Sequence, residues 1–223
     1  MAEITSDRQP TVVQLILIPS VITLALTVLR LVGELQHWSP VLFNREAGGI
    51  GSLIGISWLP PIFGVYFAIR LSKQGAGPAR AGRAVLLGVL GLVVIVLGSV
   101  LGFILRVDYY GQIVAFCAVF GVAAVVQYPA WPRLFKTLLA YGYAARIPVV
   151  ILMYFAMRGN WGTHYDAVEE PAPAALGPKY FWCAFLPQMI AWVGFTIWIG
   201  SVFGSLAVAI AQRRKKAAQT AEA

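Results

Sequence analysis

One arginine sets the chemical question in this chain. Arg146 lies inside an apolar run bounded by Lys136 and Arg158, ten residues from the first and twelve from the second. As a helix that run is about 33 Å long, close to the thickness of a hydrocarbon core. An arginine at such depth costs from about 2.5 to more than 10 kcal/mol unless it finds a partner or a water-filled recess. All nine acidic residues (Glu3, Asp7, Glu34, Glu46, Asp108, Asp166, Glu169, Glu170 and Glu222) fall in tails, loops or helix ends, so neutral acceptors must stand in. Pro148 lacks an N–H and frees the Ala144 carbonyl. Ser57, Pro60 and Pro61 interrupt a second apolar run at similar depth, since Pro60 is ten residues from Arg70. Three readings follow. Arg146 clamps two broken helices through carbonyls released at Pro60 and Pro61, or it binds an anionic group of a lipid or substrate there, or it snorkels to the inner interface.

A second group of chemically capable residues sits at the other end of the helices. Arg30, Glu34 and His37 share one helix face at i, i+4 and i+7, and Arg158, His164 and Asp166 follow the arginine helix. Two imidazoles at His37 and His164 could ligate a haem iron, or hold a divalent metal with Asp166 or Glu34. Their spacing matches no ligand signature, so no cofactor and no metal is expected. The preferred reading is an interfacial belt with an ion-pair cluster of Arg30, Glu34, Arg158 and Asp166 that orders the following loop. Catalytic constellations are missing. The helices hold no buried aspartate pair, no Ser with His at depth, no HExxH and no acidic set for divalent metal, so an enzyme is not expected.

Composition says what must position these residues. Of 223 residues 59% are hydrophobic and only 12% charged, with mean hydropathy +0.77, far from the usual quarter of charged residues in soluble domains. The expected class is an all-α polytopic membrane bundle, a single integral domain with the arginine helix at its centre. Six helices are predicted over approximately 11–33, 50–71, 84–105, 110–128, 137–158 and 181–211. An outer loop, 159–179, and a basic tail, 212–223, complete the chain. The first is read as a retained helix, because residues 1–10 lack the basic start of a secretory signal. Three GxxxG pairs, Gly51 with Gly55, Gly98 with Gly102 and Gly200 with Gly204, predict close helix packing. Cys117 and Cys183 suggest neither a disulfide framework nor a zinc site.

Basic residues fix the expected orientation. With both termini cytoplasmic, eleven Lys and Arg lie inside (Arg8, Arg70, Lys73, Arg80, Arg83, Arg133, Lys136 and 213–216) against five outside (Arg30, Arg45, Arg106, Arg158 and Lys179). The net charge of +8 therefore belongs to topology, and no nucleic-acid partner is expected. The bilayer, anionic lipid at the basic tail, a protein partner at the outer loop and a second copy of the chain are the candidate partners. In a bacterium the address would be the inner membrane.

The segment from Arg133 through Phe135, Lys136 and Tyr141 to Ala144, with Pro148 after it, resembles part of the Yip-type membrane-protein family, in which a short basic loop leads into a helix with a Tyr-Ala and Pro pattern. The resemblance spans about residues 133–148. It implies a small multi-helix bundle engaged in membrane organisation or partner binding rather than catalysis, although five helices are usual there and six are read here. The expected function is accordingly binding, organising or accessory support in a membrane assembly. The alternative is a small transporter, or a lipid- or anion-binding protein, working at Arg146.

Overall fold

The computed structural model describes residues 11–49 and 52–221. Gly51 of the first GxxxG pair, Arg8 and the chain ends 1–10 and 222–223 lie outside the described residues. Six helices and no strand occur among those described. They are α1 (Val12–Leu35), α2 (Leu59–Lys73), α3 (Ala81–Ile104), α4 (Tyr109–Val125), α5 (Pro132–Gly159) and α6. α6 begins at Leu176, passes through two π-helical stretches, Phe181–Phe185 and Pro187–Trp192, and continues as α-helix over Val193–Ala221. α1, α3, α5 and α6 are long and apolar enough to cross a membrane.

Local chemistry explains most boundaries. Thr11 opens α1 with a capping box: its Oγ1 accepts from the Gln14 N–H, and its own N–H donates to Gln14 Oε1. His37, at φ 52°, turns the chain out of α1. Asp108 caps α4 by accepting from the Gly111 N–H at 2.9 Å. Pro132 occupies the first turn of α5, and left-handed Asn160 ends it.

The second helix departs from expectation. In place of a span over 50–71 broken at its middle, helix starts only at Leu59, and Pro60 and Pro61 sit in its first turn. The reason lies in proline itself: with no N–H to give and φ already fixed, it suits the first turn, where N–H groups lack intrahelical partners. Residues 52–58 are non-helical, and Leu53 and Ile54 donate to the carbonyls of Val41 and Leu42.

The centre also differs. α6, rather than the arginine helix, packs against α2, α3, α4 and α5, while α1 lies mainly on α5. Of the glycine pairs, Gly200 and Gly204 make the tightest crossing. A Cβ on Gly64 of α2 would stand 2.4 Å from the Gly200 carbonyl oxygen, so the two backbones touch. Gly98 meets Val119 across α3 and α4, whereas Gly102 has open space beside it. A buried aromatic group of Phe63, Phe67 and Tyr141 fills the space between α2 and α5.

Candidate ligand-binding site

Arg146 and the Arg30–Glu34–His164 group, read from the sequence as two separate centres, border one cavity. It has a volume of about 130 Å³, and Thr27, Arg30, Ser57, Arg146, His164, Tyr165, Cys183, Gln188 and Trp192 are among the residues lining it. Two larger clefts, of about 500 and 550 Å³, open between α3 and α4 and between α3 and the end of α6. Neither has a buried charged side chain in its lining.

At the cavity, Arg146 is 4% exposed. Its Nη1 donates to Gln188 Oε1 at 3.3 Å, and its guanidinium carbon lies 4.7 Å from the centre of a Trp192 ring. Buried Nε makes no hydrogen bond among the described residues. Carbonyls at Pro60 and Pro61 are not its partners, which corrects the expected clamp: with those prolines starting a helix, no mid-helix break releases carbonyls to it. Pro148 is half-buried, and α5 continues through it. Ser57 lines the cavity from the non-helical approach to α2.

The second group is knit around Glu34, whose side chain is fully buried. Arg30 Nε donates to Glu34 Oε1 at 2.7 Å, and the Arg30 Nη2 also donates to the Asn44 carbonyl. His164 brings its backbone N–H to Glu34 Oε2 at 2.9 Å and its Nδ1 to Oε1 at 2.5 Å. A carboxylate accepts only, so Nδ1 carries the proton in this contact. Burial, with the Arg30 charge adding to it, holds the imidazole below its ordinary value, against the upward pull of Glu34. Tyr165 follows His164 into the bundle and donates its hydroxyl to the Thr27 carbonyl at 3.2 Å. Burial pushes that phenol's pKa up.

The predicted cluster is therefore re-partnered. Arg158 stands exposed in the last turn of α5, and Asp166 accepts from the N–H groups of Gly162 and Thr163 within its own turn. Asp166 is nearest in sequence to donors that only a tight turn can present, and it takes those. His37 is exposed beside Arg45, so the two histidines have different partners rather than a shared site. No group of three or more His, Cys, Asp and Glu suited to a metal stands together among the described residues.

Gln188, Trp192, Tyr165 and Cys183 are cavity residues that the sequence reading did not single out as site residues. Pro187-Gln188 inside an apolar, aromatic-rich run was the available signal. There α6 widens into π-helix, a form that often accompanies functional sites. Comparison of the chain with family models, curated proteins and solved structures gives no match.

Proposed function

We propose that the protein is an integral membrane bundle of six helices, both termini cytoplasmic, that binds a ligand in a recess descending from its outer end to the level of Arg146. One observation carries this reading. Charged and polar side chains of α1, α5, α6 and the outer loop converge on a cavity inside an otherwise apolar bundle. In hydrocarbon, that convergence is expensive unless the space takes water or a ligand.

Two further features support it. Large apolar side chains such as Leu17, Ile18, Phe103 and Ile104 face outward, as a lipid-covered surface requires. Non-helical backbone at membrane depth is tolerated where it is buried in protein or lines a cavity, and Ile56 and Ser57 line this one. The basic tail, Arg213 to Lys216, is exposed at the end of α6, where anionic headgroups would attract it by about 1 kcal/mol per charge. A role in membrane organisation or partner binding, the kind implied by the Yip-type resemblance over 133–148, would use the outer loop as its docking surface. In a bacterium the protein would reside in the inner membrane.

A transporter is the second reading. It is favoured by α2, a 15-residue helix whose N-terminus follows the segment bordering the recess, since discontinuous helices are common at carrier sites.

Native mass spectrometry of the gently extracted protein, wild type beside Arg146→Gln, tests the binding reading. A small molecule or lipid retained by the wild type and lost from the variant supports it. Bare protein in both samples, with the variant only less stable, would reduce Arg146 to a packing element and shift attention to the outer loop.

A further inference from the structure

We infer that the ligand of this recess is a small monocarboxylate, held at its carboxylate by Arg146; the inference rests on the recess being a binding site. Charge comes first. Arg30 and Glu34 form an ion pair at 2.7 Å and cancel. Both ion pairs among the described residues use Glu34, so neither supplies a counter-charge to Arg146. A single unit of positive charge is left at the cavity wall, and a monoanion neutralises it. A dianion would leave a buried negative charge in its place.

Shape comes second. Trp192 occupies one face of the guanidinium, so a ligand meets its edge, where the N–H groups point. Gln188 engages Nη1 through a single bond at 3.3 Å, and Nε is unpaired, which leaves donors unspent on a side chain 4% exposed. An edge of parallel donors matches the two coplanar oxygens of a carboxylate. Ser57 and the Gln188 amide are additional polar groups on the wall.

Size comes third. The cavity, of about 130 Å³, has room for several waters. Formate or acetate fits such a space.

Cys183 borders the same cavity and reports its occupancy. With Cys117, which is buried away from the cavity lining, replaced by Ala, the rate of Cys183 modification by methyl methanethiosulfonate is followed in the purified protein. Acetate and formate are expected to slow it saturably, and acetamide, of like shape without the charge, is not. Arg146→Gln should weaken acetate protection by about ten- to a hundredfold, the factor for losing a charge-assisted hydrogen bond. If that variant does not fold, Arg146→Lys serves: it should keep protection by anions and lose the preference for acetate over chloride, because an ammonium lacks the fork.

Several results would overturn the inference. Modification that no carboxylate slows does so while leaving the recess intact. Chloride or inorganic phosphate protecting as well as acetate in the wild type removes the carboxylate class. Acetate protection unchanged in both Arg146 variants removes Arg146. A Cys183 that does not react at all, even when Tyr109→Phe removes the phenol oxygen 3.1 Å from its sulfur, closes the recess, and the binding reading falls with it.

Discussion

His164 reaches across 130 residues of sequence to grip Glu34 twice, by its backbone N–H and by its ring. The same carboxylate holds Arg30, so one buried acid ties α1 to the loop that follows α5. Replacing Glu34 with Gln removes the carboxylate that Arg30 Nε donates to and the better acceptor for His164. The expected loss of stability is about 3–5 kcal/mol, the range for breaking one side of a buried pair. Thermal unfolding in detergent, read beside the milder Asp166→Asn, checks it; a Glu34→Gln loss no larger than that of Asp166→Asn would contradict the tie.

Acid should destabilise the fold through His164. The imidazole pKa of His164 lies below its ordinary value of 6.5 in the folded chain, because burial disfavours the cation. The unfolded chain therefore binds the proton more readily. Stability from this group is complete above about pH 6.5 and is lost as pH falls toward the lowered value. A His164→Asn protein should show a flatter dependence over that window, and parallel curves for the two proteins would refute the assignment.

Gly64 is expected to tolerate no side chain. A Cβ there would stand 2.4 Å from one backbone oxygen of α6 and 2.5 Å from the Gly200 Cα, with no flexible side chain to yield. Gly64→Ala should destabilise by about 1–3 kcal/mol, as overpacking does. Gly102→Ala, where nothing lies within 4 Å, is the comparison and should be neutral. Equal melting temperatures for the two variants would count against the close crossing.

Thr23 and Tyr141 share a buried hydrogen bond at 2.8 Å, and Thr23 also donates to the Pro19 carbonyl at 2.8 Å. Since that donation uses the threonine proton, Tyr141 is the donor to Thr23. Tyr141→Phe should then cost about 0.5–1.5 kcal/mol, because Thr23 keeps its own acceptor. Thr23→Val leaves a phenol stranded and should cost more, about 1–3 kcal/mol. A double-mutant cycle by thermal unfolding measures the coupling, and additive losses would show that the bond contributes nothing.

The long helices were legible because apolar length and flanking charge are properties of single segments. So was Arg146, whose depth follows from counting residues. What could not be read was partnership. Glu34 has several basic neighbours in sequence, and which ones it meets depends on how residues 160–175 fold back over the bundle. Gln188 carries no charge to mark it in the sequence, and only the fold of α6 brings it to Arg146. Pro60 and Pro61 show a subtler failure: a proline pair marks a helix start as readily as a break, and hydropathy alone does not separate the two when Ile, Leu and Gly precede it.

The touching backbones of Gly64 and Gly200 bear on how the chain is built. A 15-residue helix has little surface of its own to hold it in place, and the surface it packs on belongs to α6, which begins about 100 residues after α2 ends. α2 must therefore wait for its main packing surface, since Gly200 is made 136 residues after Gly64. Packing of α2 is in that sense completed only once α6 has been made, and truncation within α6 would leave α2 without its main partner.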